Sequence, residues 1–173
     1  MYSKNNTKRL TVCAMLGALG VVFLLLGSFI EVLDMSMAVI ASLTGVIAVI
    51  EYGGAAPWLI YAVTGMLSLI LLPQKFPAVM YVLFFGYYPI IKEKLERIKK
   101  KPPVWALKML IFNAAFAAIF FVGKQLLVPE GSSFALKVAF FVLANVAFVL
   151  YDIALTRLIS LYILRLRKKI FKK

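Results

Sequence analysis

Residues 10–30 read LTVCAMLGALGVVFLLLGSFI. A helix needs about 20 consecutive apolar residues to cross a bilayer, and this uncharged run supplies them. Lys4, Lys8 and Arg9 precede it and Glu31 follows it. A basic flank before an apolar run also suits a signal peptide. Gly27-Ser28-Phe29-Ile30-Glu31 is not a small-residue cleavage site, so the run is expected to remain as a first span. Within it, Ala14 and Ala18 lie one helical turn apart, with Gly17 and Gly20 beside them. Positions i, i+3 and i+4 share a helical face, so the helix carries one flat strip of small residues. In lipid, such strips are where helix backbones approach closely. The strip Ala14, Gly17 and Ala18 therefore has two readings. It docks a partner membrane subunit, or it packs inside the chain's own bundle.

The same length argument places further spans at 35–50, 55–72, 78–91, 104–128 and 134–164. The second is short and has its own small strip, Ala41, Gly45 and Ala48. Gly53-Gly54 after Glu51 mark a turn, and Pro73-Gln74-Lys75-Phe76-Pro77 is a tight connector. The loop 92–103, KEKLERIKKKPP, begins as an extension of the fourth helix, and Pro102-Pro103 are expected to stop it. The sixth span is longer than a bilayer requires, so it should tilt or project. The expected fold is an all-α integral membrane protein, a compact bundle of six transmembrane helices forming one domain over 1–173.

Composition agrees. The chain of 173 residues is 64% hydrophobic and only 16% charged, with a mean hydropathy of +0.96. A soluble domain of this size has too little interior to hide so much apolar surface. The net charge of +13 gathers at the N-terminus, in 92–103 and in the tail 165–173. Basic segments mark the cytoplasmic side, so both termini are placed there, beside anionic headgroups. Trp58 and Trp105 then fall at the inner interface. No folded soluble unit is present to carry a nucleic-acid-binding segment, so lipid, not nucleic acid, is the expected partner of this charge.

Several chemistries are missing. Cys13 is the sole cysteine, and histidine is absent. That removes an internal disulfide, the commonest metal ligand and the commonest general base. There is no phosphate-binding glycine loop and no dinucleotide fingerprint. The reading is of a protein that is not an enzyme, with no cofactor and no metal. Glu93 and Glu96, set among lysines, read as a solvated helical face.

Polar groups inside the spans remain. Charges in hydrocarbon are costly, so they face the bundle or a cavity. Asn113 and Lys124 lie on one face of the fifth span, and Asn145 and Asp152 on one face of the sixth. Glu31 and Asp34 flank the first outer turn. These six are the candidate substrate contacts, lining a pocket that is mostly apolar with few polar groups. The alternative is structural: Asn113 pairs with Asn145, Asp152 with Arg157, and Asp34 caps the second helix.

A basic N-terminus, a first helix with Ala14 and Ala18, and six short spans with a basic loop after the fourth make a familiar pattern. The chain resembles the S components of energy-coupling factor (ECF) transporters, the substrate-binding membrane subunits of bacterial vitamin importers. The resemblance covers the architecture of nearly the whole chain, and its motif rests on Ala14 and Ala18. It implies an S-component-like fold in the bacterial cell membrane and a vitamin or similar micronutrient bound at the outer face. It also implies docking through the first helix on a transmembrane T component, with ATPase subunits supplying the energy. The lack of histidine departs from the nickel- and cobalt-type members. The size and hydropathy also resemble the cell-shape protein MreD, which implies a non-transporting membrane scaffold instead.

Overall fold

The computed structural model describes residues 4–98, 101–122 and 134–166, and those residues are helical apart from short turns. The chain divides into two units, residues 1–123 and 124–173. In the first unit, α1 is Lys4–Phe29, followed by a 3-10 turn Glu31–Leu33 and α2, Asp34–Glu51. Then come α3 (Ala56–Leu71), α4 (Phe76–Met80), a π turn Tyr81–Phe85, α5 (Tyr88–Glu96) and α6 (Lys101–Val122). The second unit holds α7, Phe134–Leu161, which runs into a π turn Tyr162–Leu166.

Helices α1, α2, α6 and α7 are long and apolar enough to cross a membrane. The other two expected spans differ. Helix α3 has 16 residues, about 24 Å at 1.5 Å per residue, against about 30 Å of hydrocarbon. The expected fourth span is broken into α4, the π turn and α5, because the π turn shifts the hydrogen-bond register and Pro89 opens a new helix. Pro102 and Pro103 also behave differently from the expected stop. They sit in the first turn of α6, where a missing N–H costs nothing.

Apolar side chains lie on the outside of the helices as well as in the core. Only 28% of the apolar window of α1 is buried within the protein, and Met15, Met66, Ile70 and Leu110 are exposed. The interior holds Leu24, Leu72, Tyr81 and Tyr88 together with the hydroxyls of Ser42, Thr44, Thr64 and Ser68. Small and hydroxyl-bearing residues at helix contacts let backbones approach closely. Helix α2 is central and meets α1, α3, α4, the π turn and α5. Its buried face is Ala38, Ala41, Ser42, Gly45 and Ala48. The hydroxyls hold backbone carbonyls: Ser42 donates to Val39 at 2.6 Å and Thr44 to Ala41 at 2.8 Å. Thr64 donates to Gly17 at 3.3 Å and so ties α3 to α1.

The ends are closed by local chemistry. Lys75 donates to the carbonyls of Leu72 at 2.6 Å and Ile70 at 3.2 Å, covering the negative end of α3. After α2, Gly53 and Gly54 adopt φ of 55° and 57°. A side chain at Gly54 would meet nothing within 4 Å, so its only cost is the left-handed backbone, about 1 kcal/mol. Gly54→Ala should lower unfolding stability in detergent by that amount. An unchanged denaturation midpoint would show that the turn tolerates another conformation.

In the second unit, Phe148, Asp152 and Leu155 form one buried stripe along α7, while Leu143, Leu150 and Leu164 are exposed.

Candidate functional site

One end of the first unit collects cations and aromatic rings. The Arg9 guanidinium stands 5.7 Å from the centre of the Tyr52 ring. Lys94 lies 5.7 Å from the Trp58 ring, and Lys108 lies 5.4 Å from the Trp105 ring. Cations over aromatic faces at the helix ends are the pattern of a membrane–water interface.

Two lysines at this end are buried: Lys92 is 1% exposed and Lys108 4%. Both reach one oxygen of Glu96, Lys92 at 2.8 Å and Lys108 at 3.0 Å. Glu93 instead pairs with exposed Arg97. Both carboxylates keep the expected solvent contact, but Glu96 also meets two lysines that are themselves buried. The i,i+4 spacing sets Lys92 and Glu96 on the same side of α5, where Glu96 meets Lys108 of α6. Burial pushes the Glu96 carboxyl up. The hydrogen bonds and charges of Lys92 and Lys108 outweigh it and hold the carboxyl below the usual range.

Between α1 and α3 runs a groove of about 960 Å³. Ala14 and Gly17 line it from α1, and Leu59, Ile60 and Val63 from α3. Thr7 and Arg9 bring polar groups to it near the start of α1. The small-residue strip is split here. Gly17 and Gly20 are buried, and a side chain at Gly20 would come within 3.0 Å of Thr64. Gly17 therefore serves internal packing. Ala14 and Ala18 are exposed.

The expected ligand residues are placed as follows. Asp34 is buried, 7% exposed, in the first turn of α2. It is not the cap, because Leu33 holds that position without a side-chain bond. Its carboxylate sits near the positive helix end instead. Glu31 lies in the adjoining 3-10 turn. Asn113 on α6 donates its amide to Met109 one turn back, at 2.9 Å. Lys124 lies outside the described residues. In the second unit, Asn145 likewise donates to Phe141 at 2.9 Å. Asp152 is 2% exposed, its backbone carbonyl accepts from Thr156, and Arg157 is exposed. Sequence reasoning passed over the buried hydroxyls of Thr64 and Ser68. Their i,i+4 spacing inside a span was the available signal.

Among the described residues, no three of His, Cys, Asp and Glu converge on a point. Comparison with protein-family models, with curated proteins and with solved structures gives no match.

Proposed function

We propose that this chain is the substrate-specificity subunit of an ECF-type importer in a bacterial cell membrane. It binds a vitamin or similar micronutrient from outside and docks on a T component through α1. The observation that carries the reading is the division of the α1 strip. Gly17 and Gly20 are used up in packing, while Ala14 and Ala18 stay exposed one turn apart on a helix that buries little of its surface. A partner helix can approach a flat face of that kind closely. The cation and aromatic end supports the orientation, with the basic face cytoplasmic and the Glu31–Asp34 turn outside. Helix α1 has 26 residues, about 39 Å, so that turn lies a full bilayer away from the basic end.

Co-purification tests the reading. The chain should bring down a transmembrane subunit and ATPase subunits from its own cells. Ala14→Leu together with Ala18→Leu should weaken that complex about tenfold or more, since overpacking a close contact costs ~1–3 kcal/mol. Helicity and melting of the free subunit should be unchanged, because both alanines are exposed. A vitamin panel should yield one compound that raises the melting temperature of the wild type and the double variant equally. Recovery of cell-wall machinery in place of ATPases would replace this reading with the scaffold.

A further inference from the structure

We propose that the α1–α3 groove is a lipid site, holding an acyl chain of an anionic phospholipid whose phosphate meets Arg9. The groove is open, about 960 Å³, and its polar and apolar parts are segregated. Arg9 and Thr7 lie near the start of α1, and Ala14, Gly17, Ile60 and Val63 form the deeper walls. From Arg9 to Gly17 the helix rises about 12 Å. The occupant that complements such a groove has one anionic head and a long hydrocarbon tail. A zwitterionic lipid supplies the tail but gains less at the guanidinium. Arg9 is at the right depth for a phosphate, because its stacking on Tyr52 sets it at the interfacial end of the unit. Lys8, exposed beside it, adds to the attraction for an anionic leaflet.

The site rests on the chain lying in a membrane and not on its being a transport subunit. It shares Ala14 with the docking face, whereas Ala18 stands outside its lining. The state concerned is the free subunit, and a partner seated on Ala14 would displace the lipid.

Cys13, the only cysteine in the chain, lines the groove and reports its occupancy. The full chain is placed in bilayer discs of phosphatidylcholine, with or without phosphatidylglycerol as one lipid in five. Two quantities are read: lipid retained on extraction, by native mass spectrometry, and the rate of Cys13 alkylation by a membrane-permeant maleimide. The wild type should retain phosphatidylglycerol about fivefold over its mole fraction, with Cys13 alkylated more slowly when it is present. Arg9→Gln, at an exposed position, should abolish the preference and the slowing. Val63→Trp, also at an exposed position, should fill the groove and remove both retained lipids. Equal retention of the two lipids by the wild type overturns the headgroup assignment. Retention unaffected by Val63→Trp overturns the groove assignment. Crosslinking of Cys13 to a protein subunit in native membranes, with no lipid retained, makes the groove a protein interface. Recovery of the chain in the soluble fraction of cells would remove the membrane premise itself, and fractionation reads that separately.

Discussion

Gly86→Ala will destabilise the first unit by about 2 kcal/mol, although alanine is the better helix former. Gly86 has φ of −73° and ψ of −42°, which any residue adopts, so its glycine is not there for backbone freedom. The reason is space. A side chain would stand 2.6 Å and 2.9 Å from two atoms of the Tyr61 ring and 2.7 Å from Tyr81. Neither ring is free to yield. The Tyr61 hydroxyl donates to the Val82 carbonyl at 2.9 Å, and its ring meets Trp58 and Tyr87 edge-on. Tyr81 is fully buried. Overpacking of this kind costs ~1–3 kcal/mol, and three contacts under 3 Å argue for the top of that range. Alanine recovers up to ~1 kcal/mol of helix propensity, so the steric term wins. Gly65 provides the contrast. Its new methyl would meet a single atom, a methyl of β-branched Val82 at 2.9 Å, so Gly65→Ala should cost less, about 1 kcal/mol or under after the gain in helix propensity. Unfolding titrations of both variants in mixed detergent micelles measure the difference. Equal effects would mean that the rings about Gly86 are not locked as described.

The long helices were legible because their signal is local. An uninterrupted apolar run between charged flanks is read directly from residues 10–30, and a run broken only by Lys108 and Asn113 from 104 to 122. The break after Met80 is of another kind. The π turn Tyr81–Phe85 is stabilised where Tyr61 bonds to Val82, a partner far away in sequence, and periodicity carries no trace of such a contact. Pro102 and Pro103 are compatible with a helix that ends or one that begins, and local sequence does not choose between them. The small strip was legible only in part. Spacing sets Ala14, Gly17 and Ala18 on one side of a helix, yet 3.6 residues per turn rotates Ala14 and Ala18 about 60° and 100° from Gly17. That rotation separates a buried glycine from two exposed alanines. Asn113 and Asn145 each make a bond that their spacing did not show. Each turns its amide back to its own helix, a choice that residue identity does not reveal. The partner of Glu96 was hidden, since a glutamate among lysines does not show that Lys108 of the facing helix will reach it.

Glu96→Gln should cost about 1–2 kcal/mol and remove an acid-sensitive part of the stability. Two charge-assisted hydrogen bonds converge on one Glu96 oxygen, from Lys92 at 2.8 Å and Lys108 at 3.0 Å. Bonds to charged groups contribute ~1.5–3 kcal/mol each when well shielded. The Glu96 side chain is 40% exposed, so water screens the pair and the lower figure applies. Glutamine keeps the shape and can still accept, but it no longer balances two ammonium groups that are nearly out of water. The sign with pH follows from the depressed carboxyl. Glu96 contributes fully above the unfolded glutamate value of about 4.3, and the contribution fades as pH falls through the lower folded value. The wild type should therefore lose stability on acidification below about pH 5, and Glu96→Gln should lose less over the same interval. Lys108→Met tests the geometry from the other side. It removes one of the two donors, so the wild-type loss should shrink without disappearing, because Lys92 still holds the carboxylate. Denaturation midpoints of the three proteins between pH 3 and pH 7 read all of this. Parallel curves for wild type and Glu96→Gln would mean that Glu96 is no more strongly held in the folded protein than in the unfolded chain.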